Sequence, residues 1–222
     1  MEQSNLDMSD TPYWPTPEPL GSARRVYIGI LRDLERHRLV PGQRLVETDL
    51  AACHKVGRNA VREAMQHLAV RGVVDLSPNH SPTIRRLDLT ESLEVLDVAE
   101  AMLQLAATTA ARQFDASAHD SLLSSAIAEI ERSYSLGLPG DFNRARRHYY
   151  RALLEIGGNR ELQRIFPAIG MHVFHVQYAL PELLRIRYED YRTIAAAIRA
   201  SDIDGAGCAA GEHVARVRAV IS

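Results

Sequence analysis

From Leu89 to Ser222 the apolar residues recur every three to four positions and nowhere alternate. Such a stretch folds as a succession of amphipathic helices with no strand among them. Thr90 opens the first, with Leu93, Leu96, Val98, Met102 and Leu105 along it. Further segments over 118–134, 142–156, 162–180, 181–200 and 204–220 follow, separated by Gly, Pro and Asn. Helices with one apolar stripe must bury it against one another, so an all-α bundle is the predicted product. The boundary with what precedes falls near 86–90.

The first third reads differently. Residues 1–19 hold Pro12, Pro15, Pro17, Pro19 and four acids without a base, and predict a disordered or loosely docked arm. A helix over 23–37 follows, with Ser22 as its expected N-cap and Val26, Ile30, Leu31 and Leu34 at helical spacing. Val40-Pro41-Gly42 breaks it. A short helix is expected from Thr48, whose hydroxyl is placed to cap 49–53. After the Lys55-Val56-Gly57 turn comes a third helix, from Asn59 to about Val70. Residues 73–76 and 83–86 read as a small hairpin with two prolines near its tip.

Charge follows the same division. The net charge is −4 over residues 1–19, +5 over 20–90 and −3 over 91–222, for −2 overall. A basic module joined to a mildly acidic remainder points to a polyanion partner for the first. The cations are almost all arginine, and because this pervades the chain it argues for coding bias rather than for a site. No run of about 18 uncharged apolar residues is present, so no membrane span is expected. The acidic start predicts no secretory leader. Two cysteines, Cys53 and Cys208, make no disulfide framework or zinc spacing, and the expected compartment is the reducing cytoplasm.

Three helices and a hairpin within about 65 residues describe a winged helix-turn-helix, in which the helix from Thr48 braces the backbone and the next enters the major groove by its N-terminal end. Arg58, Asn59 and Arg62 lie within its first two turns, and Arg and Asn pair bidentately with guanine and adenine edges. Val61, Ala64, Met65 and Leu68 supply its inward face. The plain alternative is a surface helix with solvated arginines. The longer string, Leu39-Val40-Pro41-Gly42-Gln43-Arg44-Leu45 through Leu50-Ala51, then Val56-Gly57-Arg58-Asn59-Ala60-Val61-Arg62-Glu63-Ala64, then Gly72-Val73-Val74, resembles the N-terminal domain of the GntR family of bacterial regulators. The resemblance covers about 20–86. It departs at Gly57, where the family carries Ser or Thr, at Asn59 and Ala60 in place of Thr and Pro, and at Asn79, where the wing has glycine, followed by His80.

The second part is similar to the helical ligand-binding (FCD) domain of the FadR-type branch. Tyr149-Tyr150-Arg151 through Gly157-Gly158-Asn159-Arg160-Glu161-Leu162 matches one segment, and Tyr188 to Ile194 with Ala197 to Asp202, continuing to His213, matches another. The resemblance implies a divalent metal held by one Asp and three His, at positions that are Arg146, Tyr150, Tyr191 and His213 here. A guanidinium coordinates no cation, and phenols are poor ligands beside imidazole, so the family's metal is expected to be lost and no cofactor is expected. Ala99 and Leu103 replace a pocket-facing Arg and Glu, which makes that wall larger and more apolar, suited to an aromatic or lipid-like acid. Two readings stay open: Arg146 grips an anionic effector, helped by Tyr150, Tyr191 and His213, or it is paired to a carboxylate in an internal network. A relocated metal through His148, His172 or His175 is a further alternative to packed histidines.

The fold expected is therefore mainly α: a winged helix-turn-helix over 20–88 plus an all-α effector-binding and dimerisation bundle over 89–222. The resemblance implies a homodimeric transcription regulator, a repressor by expectation, binding a palindromic double-stranded DNA operator and a small organic-acid effector. The alternatives are a protein-interaction adaptor and an effector-independent regulator with a vestigial pocket. No phosphate loop, catalytic triad order or paired carboxylates point to an enzyme.

Overall fold

The computed structural model describes residues 19–77, 81–137, 139–166 and 171–222; the expected arm over 1–19, except its last residue, and the wing-tip residues Asn79 and His80 lie outside them. The first core is built from α1 (Gly21–Glu35), α2 (Glu47–His54), α3 (Arg58–Val70), β1 (Val74–Asp75) and β2 (Thr83–Ile84). Val26, Ile30, Leu31 and Leu34 of α1 meet Val61, Ala64, Met65 and Leu68 of α3 in one cluster. The strands pair antiparallel, Val74 opposite Ile84, and Arg44 bridges to Thr83 on the other side. Gly42, at φ +83°, lets the Pro41-Gly42 turn bring its own N–H onto the Ile84 carbonyl at 2.8 Å.

Two expected caps are absent. α1 starts at Gly21 with Leu20 before it and makes no side-chain cap, so Ser22 is already inside the helix. α2 starts at Glu47 after Val46, so Thr48 lies in the first turn and its hydroxyl bonds Asp49 at 3.2 Å instead of capping. Glu47 and Asp49 complement the positive end of that helix instead.

The second core holds α4 (Leu89–Gln113), α5 (Ala116–Leu136), α6 (Pro139–Gly157), α7 (Arg160–Ile165), α8 (Met171–Gln177), α9 (Pro181–Arg199) and α10 (Ile203–Ile221). α4 and α10 run close along small residues: Ala106, Ala107, Ala110 and Ala111 are buried, and a Cβ on Gly207 or Gly211 would strike Thr108 or Gln104. The segment expected as one helix over 162–180 is two, α7 and α8. The sequence between them carries Pro167 and Gly170, and proline removes a helical donor and clashes with the preceding turn.

α4 begins at a capping box. Asp88 accepts from the Glu91 N–H at 2.8 Å and Glu91 accepts from the Asp88 N–H at 3.0 Å. Replacing Asp88→Ala is expected to lower stability by about 1 kcal/mol in urea melts, with Asp88→Ser nearly neutral.

Candidate functional site

Two sites emerge. The first lies on α2 and α3. Val56 donates to the Ala51 carbonyl at 3.0 Å across a turn in which Lys55 takes a left-handed conformation, φ 52°. Beyond that turn the first residues of α3 are exposed. Gly57 is the N-cap and offers no side chain, so the first N–H groups of α3 remain available to a phosphate. Arg58, Asn59 and Arg62 are exposed on the face opposite Val61, Ala64, Met65 and Leu68, as the spacing predicts. Arg62 also meets Glu47 of α2, its Nε 3.0 and 3.1 Å from the two carboxylate oxygens. This pair ties the two helices in their crossing, a role spacing alone did not suggest. Thr48 is exposed beside them.

The second site is inside the helical bundle. Tyr150 of α6 and Tyr191 of α9 share a hydroxyl–hydroxyl bond of 2.8 Å, and Tyr191 stacks on Tyr149 at 4.7 Å and packs against His213 at 5.1 Å. Arg146 is buried one turn before Tyr150 and donates to Asn143 Oδ1 at 3.0 Å. The four positions Arg146, Tyr150, Tyr191 and His213 thus converge. Arg146 pairs with no carboxylate among the described residues; its described partner is an amide, Asn143.

A small cavity of about 20 Å³ is walled by Leu96, Ala99 and Leu103 of α4, Phe174 of α8, and Val214 and Val217 of α10, with Tyr150, His175 and His213 as polar groups. A second, of about 30 Å³, is lined by Arg146, Arg147 and His172 and shares Tyr150, Phe166, Met171 and His175 with the first. The two form an apolar chamber and a cationic chamber on either side of common residues. Ala99 and Leu103 line the apolar one, where the resemblance places them.

Sequence reasoning missed Arg187. It sits on α9 one turn before Tyr191, is 3% exposed, and reaches only the Tyr178 carbonyl at 3.5 Å, leaving Nε and one terminal nitrogen without a described partner. The i, i+4 spacing to Tyr191 was the available signal. His175 is buried with neither ring nitrogen bonded among the described residues. Burial pushes the Arg146 pKa down to about 10, with Arg187 and Arg147 adding to the effect against Tyr191 and Tyr150. Both guanidiniums remain cationic at neutral pH.

The buried carboxylate nearby, Asp190, is already engaged. It accepts from His213 Nδ1 at 2.9 Å and from Arg216. Burial holds His213 below the ordinary imidazole range despite Asp190, which leaves Nε2 as an acceptor. Tyr150 and Tyr191 are raised by burial and stay neutral.

As a test of the metal the resemblance implies, this donor set does not fit. Of the four positions only His213 is a ligand of the usual kind, and two guanidiniums stand within electrostatic reach of it or of one another. Among the described residues no three His, Cys, Asp or Glu side chains are placed to hold a metal. His148 bonds Glu129, His172 faces Glu35 at 3.9 Å, and His175, which lines the second cavity with His172, has no bonded ring nitrogen among the described residues.

A winged helix-turn-helix joined to an all-α bundle is the architecture of a two-domain DNA-binding regulator. Residues 22–84 match the bacterial regulatory proteins of the gntR family, and residues 94–216 match the FCD domain. The chain belongs to the GntR family, in the branch that carries an FCD domain. It is similar in fold to Escherichia coli McbR/YncC (19% identity, TM-score 0.76, covering 91% of this chain and 98% of that one). It is also similar to a transcriptional regulator GntR of Rhodococcus sp. RHA1 (24%, 0.72, 90% and 96%) and to Lar of Listeria monocytogenes (19%, 0.57, 92% and 98%). No curated protein matches the chain significantly. Among the described residues no helix is long and apolar enough to cross a membrane.

Two outcomes follow from the buried groups. His175 and His213 are neutral in the folded chain, their pKa lowered by burial, whereas the unfolded chain protonates them near 6.5. Their folded-state values lie below the unfolded ones, so stability is full above about pH 6.5 and falls as the pH drops below it. The loss approaches about 1.4 kcal/mol per pH unit per histidine. His175→Phe should flatten that slope by one proton in urea melts between pH 7 and 5. Separately, Arg187→Met replaces an unpaired buried cation with an apolar chain of similar reach, and should stabilise the ligand-free protein by about 1–3 kcal/mol in the same melts at pH 7.

Proposed function

We propose that this regulator changes its operator affinity when an organic anion with an apolar body enters the bundle. The observation that carries the reading is the pair of buried guanidiniums, Arg146 and Arg187, without a carboxylate partner among the described residues. A buried cation without a counter-charge is costly, and an anion supplies the missing partner through charge-assisted bonds. Arg146 receives the anionic head, the neutral tyrosine pair and His213 Nε2 offer hydrogen bonds, and the wall of Ala99, Leu103, Phe174 and Val217 parts to widen the small cavity around an aryl or acyl body. The cations favour an anion and disfavour a dication, so the effector binds without the family's metal.

In this reading residues 20–88 form the DNA-binding domain and 89–222 the effector and dimerisation domain, with the arm preceding them. Two chains present paired α3 helices to a palindromic operator. Thr48, Gly57, Arg58, Asn59 and Arg62 meet the duplex together with the wing residues Asn79 and His80. The protein acts in the cytoplasm as a repressor, its effector shifting the population of domain arrangements.

The test is a fluorescence anisotropy titration of genomic fragments, repeated with aryl and acyl carboxylates and their neutral alcohols. Arg58→Ala is expected to weaken specific binding by about 1–3 kcal/mol. Arg146→Ala should keep ligand-free DNA binding and lose the response to acids. A response equal for acids and alcohols would reject the anionic effector.

A further inference from the structure

Among the described residues, one short helix touches everything the mechanism needs. On α8, Met171, Phe174 and His175 line the chambers of the bundle, while Val176 is buried in the cluster formed by α1, α3 and the strands. Its last residue, Gln177, clips the interdomain linker by two bonds, accepting from the Leu87 N–H at 3.0 Å and donating to the Leu87 carbonyl at 2.8 Å. The two faces of seven residues are thus divided between the pocket and the DNA-binding domain.

Beside α8 the domains are joined by charge. Arg147 of α6 lines the cationic chamber and pairs with Glu35, the last residue of α1, both side chains being mostly buried. His172 of α8 lines the same chamber and faces Glu35 at 3.9 Å. Arg71, the residue that ends α3, bonds Tyr27 of α1 and lies within electrostatic reach of His172. One carboxylate therefore faces Arg147 and His172, with Arg71 and Arg146 beyond. An anion entering the chamber meets a cation that the DNA-binding domain is already using.

We propose that Arg147 is shared between effector and DNA-binding domain: a carboxylate in the cationic chamber draws it from Glu35 and so frees α1 from α6 and α8. This rests on the anionic-effector reading above and adds its route of transmission. Breaking one partly buried pair is within the range of an allosteric coupling, and the coupling is reciprocal. Removing Glu35 must then favour the anion, because the anion no longer competes for Arg147.

The experiment uses the full chain with octanoate and phenylacetate as probes, each titrated calorimetrically, and tryptic cleavage at Arg85 and Arg86 as the readout of linker release. Glu35→Gln keeps the size of the side chain and removes its charge. It is expected to bind the probes about tenfold more tightly than the parent and to be cleaved rapidly with or without them. The parent should be cleaved slowly alone and rapidly with either acid. Arg147→Gln should be cleaved rapidly in all conditions and bind the acids more weakly, which also guards against a Glu35 variant that misfolds. Acids that bind parent and Glu35→Gln equally, with unchanged cleavage, would overturn the shared cation and leave the anion pocket standing. No binding of either acid to any of the three proteins would overturn the pocket reading and this proposal with it.

Discussion

Unneutralised positive charge inside an apolar helical bundle is the constraint on which the rest of this structure turns. At the low effective dielectric of a packed interior, charges act on one another over several ångströms and burial alone disfavours them. Arg146 and Arg187 sit among aromatic and aliphatic side chains, and the nearby acid, Asp190, is held by His213 and Arg216. The bundle tolerates this because its other contacts are extensive: α4 against α10 along alanines and glycines, and the stacked tyrosines against α9. A fold that carries such a cost has a standing preference for whatever removes it, and ligand binding converts that preference into added stability.

The same positive field reaches the seam between the two cores. Arg147 belongs to the chamber and to the interdomain contact at once, and α8 is wedged with one face on each core. The cavity and the DNA-binding domain are thus separated by a few side chains. Winged helix and bundle each have a core of their own, and among the described residues the Arg147–Glu35 pair, the Gln177–Leu87 bonds and Val176 join them. Interfaces of this size move more readily than cores do.

Much of this was legible before any coordinates. The inward face of α3, the turn before it and the exposed Arg58, Asn59 and Arg62 all follow from periodicity and punctuation. The convergence of Arg146, Tyr150, Tyr191 and His213 followed from a resemblance in register, and Ala99 and Leu103 were placed on the pocket wall by the same means. Caps were read less well. Ser22 and Thr48 have the right chemistry for N-caps, yet both helices start earlier, because tertiary packing of α1 and the Val46 turn overrides a preference of about a kilocalorie per mole. The split of α7 from α8 had its sign in Pro167 and Gly170, hidden by apolar residues that kept a helical rhythm on both sides.

Periodicity along the chain was enough to turn Val61, Ala64, Met65 and Leu68 inward on α3, whereas Val98 and Leu105 of α4, at similar spacing, stay exposed. Local periodicity and net charge are properties of neighbours along the chain, so they survive without a fold. Long-range packing alone leaves Arg187 without a carboxylate partner among the described residues, brings Glu35 to Arg147 across 112 positions, and sets α8 between two cores. Those are facts about which distant surfaces pack together, and burial, dielectric and charge pairing are settled by that packing.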